Sequence, residues 1–228
     1  MMSATDRWLL VDVGHVLIGF DHAVVGRRLV DEHFALERRT EATRAAVQAF
    51  IFHGTGGVVP NAELDRGAHD VDWLCARVCA EFNVAVAVPA FEEIWTSIFA
   101  LQLNADVVAC VDALTAAGVR VGLCSNTNAS HWRFLRRTHA EFRHLDDAAR
   151  RFVSFEMGAG KGEPGFFARV ARETGAPLAR HLLLDDKPEN CAAARAEGMR
   201  AQVLDPTDAA PALRAVTETL LGELAHGT

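Results

Sequence analysis

Tyrosine is absent from the 228 residues, and among 23 basic side chains only two are lysines, Lys161 and Lys187. Excess positive charge is missing too, because 30 acidic groups bring the formal net charge to −7. Arginines scattered over a net negative chain build no phosphate-backbone footprint, so no nucleic-acid partner is expected. The longest apolar runs, such as 8–11 and 84–88, fall far short of the roughly 20 residues that cross a bilayer, so no membrane partner is expected either. No charged, apolar and small-residue leader opens the chain, and a cytoplasmic protein is the expectation. The five cysteines, Cys75, Cys79, Cys110, Cys124 and Cys191, contain no CxxC pair, which suits a reducing compartment and argues against a zinc site. Cys75 and Cys79 stand four apart, on one helical face, and read as helix packing. Without repeats or low-complexity segments, a chain that is 50% hydrophobic reads as one soluble globular protein, or a core carrying an insertion.

Residues 8–13 form an apolar run that ends in Asp-x-Gly, the pattern of a buried strand opening into a turn. From 19 to 103 the pattern is helical throughout, punctuated by Gly54-Thr55-Gly56-Gly57, Pro60 and Pro89. After it, short apolar strands at 119–124, 151–155, 181–184 and 200–204 alternate with helices at 105–117, 128–138, 164–174 and 188–197. Such alternation predicts an α/β fold, a Rossmann-like parallel sheet covered on both faces. The division that follows is an α/β core of residues 1–18 and 104–228, interrupted by an all-helical cap at 19–103.

In open α/β sheets ligands bind beyond the carboxyl ends of the strands, where the strand order reverses. The residues there are Asp12 and Gly14, Ser125 and Asn126, the stretch 158–161, and Asp185 with Asp186. Three carboxylates converging at one crevice repel unless a cation sits among them, and an all-oxygen set suits Mg²⁺. Ser125-Asn126-Thr127-Asn128 opens a helix, where a hydroxyl and free backbone N–H groups cradle an anion or simply cap the helix. Lys161 stands in a glycine-rich loop that brings its ammonium toward the crevice. Lys187 follows the acidic pair and balances it from solvent. Asp205, before Pro206, reads as a turn former.

Together these segments resemble the haloacid dehalogenase superfamily of hydrolases. Asp12-Val-Gly-His-Val-Leu is similar to its first motif, Leu123-Cys-Ser125-Asn126 to its second, Lys161-Gly-Glu-Pro to its third and Asp185-Asp186-Lys-Pro-Glu-Asn190 to its fourth. The match spans nearly the whole chain, places 19–103 where a C1-type cap sits, and looks nearest the bacterial glucose-1-phosphate phosphatase branch. It implies a Mg²⁺-dependent phosphatase of a small phosphorylated metabolite, a sugar phosphate among the candidates. Asp12 would attack phosphorus to form an aspartyl-phosphate, and water would hydrolyse it. Mg²⁺ would be held by the Asp12 carboxylate, the Gly14 carbonyl and Asp186, with Asp185 as a further ligand or a partner behind it. Ser125, Asn126 and Lys161 would bind the phosphoryl group, and Asn190 would orient Lys161 or the metal's surroundings.

Two positions depart from the family pattern. Lys161 is followed by glycine rather than the usual proline, and Gly14 stands where most phosphatases of the family place a second Asp as general acid and base. His15, Asp21 and His22 are the candidates to replace it, unless the leaving group departs unaided. Cap residues His53, Arg66, Trp73 and Trp95 are the candidates to face the substrate. Two other readings are a metal-independent dehalogenase, disfavoured because those enzymes usually carry an aromatic at position 14, and a non-catalytic ligand-binding protein. Both monomer and homodimer are compatible with the sequence.

Overall fold

The computed structural model describes residues 7–148 and 150–226. Residues 1–6 and 227–228, the outer ends of the expected core, lie outside the described residues. The chain enters as β1 (Trp8–Val11), turns, and runs through β2 (Ile18–Phe20). Five helices follow: α1 (Ala23–His33), α2 (Glu41–Phe52), α3 (Pro60–Asp65), α4 (Val71–Phe82) and α5 (Val88–Thr96). β3 (Phe99–Leu103) returns to pair antiparallel with β2. Then come α6 (Ala105–Ala116), β4 (Arg120–Ser125), α7 (Ala129–Thr138), α8 (Ala140–Ala148) and β5 (Arg150–Val153). The remainder is α9 (Ser154–Met157), α10 (Phe166–Thr174), β6 (His181–Asp185), α11 (Pro188–Ala196), β7 (Arg200–Val203) and α12 (Ala210–His226).

The five core strands form one parallel sheet in the order β5-β4-β1-β6-β7. All four residues of β1 are buried because a central parallel strand is covered on both faces. Leu9 and Val11 look toward α6, α7, α8 and α12 through Val107, Trp132, Phe142 and Val216. Leu10, on the opposite face, packs with Phe152, Phe167 and Val170. Gly122 is required by this packing, since a β-carbon there would stand 2.8 Å from Phe152 and 2.9 Å from Leu10. Strand order reverses at β1: the chain continues to β4 and β5 on one side, then crosses to β6 and β7 on the other. That reversal opens a crevice above the end of β1.

Helices α1 to α5 bury a separate apolar cluster, with Val25, Leu29, Phe50, Leu74, Phe91 and Trp95 at its centre. Local chemistry starts and stops them. Thr40 caps α2 by accepting from the Thr43 N–H at 3.1 Å, prolines open α3 and α5, and Asn83 ends α4 in a left-handed conformation. Cys75 is buried and Cys79 half-buried along α4, as helix packing predicts. Residues 99–103, read from sequence as the tail of a helical stretch, are instead a strand. The chain crosses into and out of the insert side by side, and pairing Ile18 with Leu103 and Phe20 with Phe99 satisfies both crossings. Among the described residues no helix is long and apolar enough to cross a membrane.

Candidate active site

Val11 is level with Leu123 on one side and Leu184 on the other, so Asp12 follows the central strand flanked by the ends of β4 and β6. Its N–H donates to the Leu184 carbonyl at 2.9 Å, extending the ladder by one residue. Ser125 ends β4, buried, and Asp185 ends β6, fully buried. Asp12 Oδ1 accepts from the Val13 N–H at 2.7 Å and lies 2.9 Å from Lys161 Nζ. Burial pushes the Asp12 carboxyl up to about 6, with Lys161 pulling it down and Asp185 pushing it further up.

Lys161 is 1% exposed, and its ammonium donates to the Cys124 carbonyl at 3.1 Å and pairs with Asp185. Burial opposes the ammonium, but Asp12 and Asp185 outweigh it and hold Lys161 above its ordinary value, so the cation persists. Its backbone N–H donates to Asn126 Oδ1 at 2.9 Å, and Gly160 lies against the same amide, where a β-carbon would come within 3.3 Å. Asn190 Nδ2 reaches both oxygens of Asp185, at 3.0 and 3.2 Å, and the Lys187 N–H donates to Oδ1 at 2.9 Å. Asn190 therefore orients Asp185, and Asp185 orients Lys161.

Asp12, Asp185 and Asp186 each place a carboxylate oxygen within 4.8 Å of the others. The two adjacent aspartates differ in what is left open. Both oxygens of Asp185 already accept hydrogen bonds, whereas Asp186 Oδ1 is buried with no partner. Burial, then the charge of Asp185, pushes the Asp186 carboxyl above the usual range. An orphaned buried oxygen among clustered carboxylates fits a hard divalent cation, which takes oxygen ligands and removes the repulsion.

Phe20 closes one side of the site. Its ring stacks on His15 at 4.0 Å between centroids and against His22 at 4.6 Å, and His22 in turn stacks on Phe52 at 4.3 Å. His15 adopts a left-handed φ of 56°, a conformation costly for a residue with a β-carbon. Burial, then Lys187, lowers both histidines, His22 to about 4. Asp21 is exposed and paired with Arg27. Lys187 is exposed, as expected, but its charge reaches His15, His22 and Asp65 as well as Asp186.

A cleft of about 240 Å³ adjoins these strand ends, with Asn126, Gly160 and Glu163 on one wall and Asn61, Asp65 and Arg66 on the other. Arg66 spans it, donating from Nε and Nη2 to Glu163 Oε1 at 2.9 and 2.6 Å. Of the four insert residues expected to face substrate, Arg66 alone lines this cleft. His53 is exposed after α2, Trp73 stacks on His69, and Trp95 is buried, with Nε1 donating to Asn128 Oδ1 at 3.5 Å.

Asp65, Asn61 and His131 went unread in the sequence. Asp65 Oδ2 accepts from Asn61 Nδ2 at 2.8 Å and Oδ1 from Asn128 Nδ2 at 3.3 Å. Asn128 caps α7 and also meets His131 Nδ1 at 3.1 Å. Because His131 Nε2 donates to the Trp95 carbonyl at 3.1 Å, Nδ1 carries the lone pair, and burial lowers this ring to about 3. The spacing of Asn61 and Asp65 by four on one helix was the available signal. A larger groove, about 790 Å³, runs between α5 and α7, where Arg28 and Arg133 pair with Glu93 and Glu92, and contains none of the strand-end residues.

Solved structures share this architecture. A HAD family enzyme of Bacteroides thetaiotaomicron, in complex with magnesium and inorganic phosphate, aligns with a TM-score of 0.66 at 19% identity over 89% of this chain and 96% of its own. A predicted HAD-like family hydrolase of Porphyromonas gingivalis aligns with a TM-score of 0.71 at 21% identity over 94% and 97%. A HAD family hydrolase of Deinococcus radiodurans R1, with bound phosphate and sodium, aligns with a TM-score of 0.54 at 17% identity over 98% of each. The profile of the haloacid dehalogenase-like hydrolases matches residues 21–198, well over half of the chain. The motif order, the parallel sheet and this match agree, and the chain belongs to the haloacid dehalogenase-like hydrolase family.

Proposed function

We propose that this hydrolase is a Mg²⁺-dependent phosphatase of a small phosphorylated metabolite, working through an aspartyl-phosphate on Asp12. One observation carries the reading: the Asp12 carboxylate lies 2.9 Å from a buried ammonium and beside an orphaned oxygen of Asp186. A carboxylate held this way is a positioned nucleophile with a cation site at its side. The magnesium and phosphate bound by the Bacteroides relative support the same chemistry.

Asp12 and Asp186 would hold the ion with the Gly14 carbonyl, and bound Mg²⁺ supplies charge neutralisation at the phosphoryl oxygens. Both oxygens of Asp185 are taken by Lys161, Asn190 and the Lys187 N–H, so Asp185 acts by fixing Lys161. The phosphoryl group would sit against Ser125, the Asn126 backbone and Lys161. A carboxylate oxygen of Asp12 forms the new bond to phosphorus as the ester P–O bond breaks, its electron pair leaving with the alcohol oxygen, which takes a proton from solvent. Water then attacks phosphorus, giving a proton back to solvent, and returns Asp12 as carboxylate and the phosphoryl group as inorganic phosphate. Catalysis is mostly positioning and electrostatics, since phosphoryl transfer asks little covalent work of the protein. Residues 19–103 act as the cap, and the sugar-phosphate branch is the expected substrate neighbourhood.

The clustered carboxylates disfavour a metal-independent dehalogenase, which has no use for a cation site. A panel of phosphorylated metabolites assayed with Mg²⁺ and with EDTA tests the proposal. Metal-dependent phosphate release that disappears in Asp12→Asn is expected; halide release without metal would select the other chemistry.

A further inference from the structure

The cleft beside Asn126 is asymmetric in charge. On the strand-end side Asn126 and Gly160 line it, next to the buried Lys161, whose backbone N–H donates to the Asn126 side chain and whose ammonium suits a phosphoryl group. At the opposite side stands Asp65, half-buried at the end of α3. Its oxygens each accept one hydrogen bond from an amide, Asn61 at 2.8 Å and Asn128 at 3.3 Å, and a carboxylate offers about four acceptor sites. Acceptor capacity thus remains on the face that lines the cleft. The other acid there, Glu163, is neutralised by the two hydrogen bonds from Arg66. Burial raises Asp65 to about 6, with Asn128 and Asn61 pulling it down, so it is mainly an anion at neutral pH.

Resting on the phosphatase reading above, we propose that Asp65 selects the leaving group: its carboxylate accepts a hydroxyl of the phosphorylated metabolite and rejects esters carrying a second anionic group. A second phosphate or carboxylate would face a like charge at short range in a cleft of about 240 Å³, roughly eight waters at ~30 Å³ each. Asn61 and Asn128 hold the carboxylate from both sides, so the acceptor is preorganised before substrate arrives. Discrimination thus combines an attractive contact with a repulsive one.

Two measurements test this. In the first, wild type and Asp65→Asn are compared in kcat/KM for a hexose monophosphate, a hexose bisphosphate and para-nitrophenyl phosphate, with Mg²⁺. Wild type should prefer the monophosphate to the bisphosphate by tenfold or more. In Asp65→Asn, the ratio of monophosphate to para-nitrophenyl phosphate should fall about tenfold, through KM, while the bisphosphate gains on the monophosphate. In the second, calorimetry on Asp12→Asn and Asp12→Asn/Asp65→Asn with Mg²⁺ compares binding of hexose monophosphate and inorganic phosphate. The affinity ratio of the two should fall about tenfold with the Asp65 change. Ratios that stay fixed, whether both ligands weaken together or neither does, overturn the proposal, as does a wild type that prefers bisphosphates. Absence of turnover together with Asp65-dependent binding would overturn the phosphatase reading and uphold the recognition.

Discussion

A β-carbon on Gly14 would stand 2.6 Å from Cε1 of Phe20, so the ring fills the space that a side chain at position 14 needs. Phe20 cannot swing aside freely, because His15 and His22 flank it. The glycine and the phenylalanine form one unit, and the missing second aspartate is a consequence of shape as well as of sequence.

Gly14→Asp alone is accordingly expected to lose about 1–3 kcal/mol, the usual range for overpacking, and to gain no turnover of alkyl phosphates. Gly14→Asp with Phe20→Ala should exceed the single variant in kcat on such esters, because the new carboxyl then has room to protonate the leaving oxygen. Urea titrations and steady-state rates on an alkyl phosphate check both points. A single variant as stable as wild type would show that the ring is no obstacle.

Lys161 is the counter-charge for two buried carboxylates. Lys161→Met should destabilise the fold by roughly 3–5 kcal/mol, the range for stripping one partner from a buried ion pair. Lys161→Arg should fail to restore activity, since a planar guanidinium cannot replace a compact ammonium that meets Asp12, Asp185 and the Cys124 carbonyl together. Adding Asp185→Asn to Lys161→Met should recover part of the stability but none of the activity. A double-mutant cycle in urea gives the coupling.

Acid should weaken the fold through His131. Its value is lowered from 6.5 to about 3 by burial, so between those limits the unfolded chain binds more protons and stability falls as pH drops from 6.5 toward 3. At 1.36 kcal/mol per pKa unit the ceiling is about 5 kcal/mol. Asp65, raised to about 6, has the opposite sign, its stabilisation being present in acid and lost as pH rises through 6. Comparing wild type with His131→Gln isolates the histidine. The variant's urea midpoint should drop less between pH 7 and pH 4 than that of wild type, and equal drops would contradict the assignment.

Mg²⁺ should stabilise the folded protein before any substrate is present, because it relieves repulsion among Asp12, Asp185 and Asp186. At a free concentration one hundred times its Kd the gain is about 2.7 kcal/mol, read as a rise in Tm that EDTA reverses. Asp186→Asn should lose most of that rise, whereas Asp185→Asn should keep more of it and lose activity through Lys161 instead. Equal loss in both variants would mean that the two aspartates share the ion.

Much of this molecule is legible along the chain. The apolar runs ending at Val11, Leu123 and Leu184 announce buried parallel strands, and a parallel sheet brings its strand ends to one edge. Asp12, Ser125, Lys161 and Asp186 are therefore findable from pattern and spacing. Asp205 behaves as the turn former its setting suggests, accepting from the Thr207 N–H at 2.8 Å. The strand at 99–103 was hidden because its partner, β2, lies at the far end of the insert, and pairing between distant segments leaves no local trace.

For Asp185 the resemblance leaves two roles open, a further ligand or a partner behind the ligands, and only packing shows that both its oxygens are taken. Asp185, the last residue of β6, turns into Lys161 and Asn190, while Asp186, in the bend that follows, keeps a buried oxygen unpartnered. Asp65 meets Asn128 across 63 residues of sequence, and Phe20 meets Gly14 only because β2 folds back over the end of β1. Local periodicity specifies which segments become helices and strands. Which side chains then share a crevice depends on how two apolar clusters and a sheet covered on both faces settle against one another, and no window of sequence contains that information.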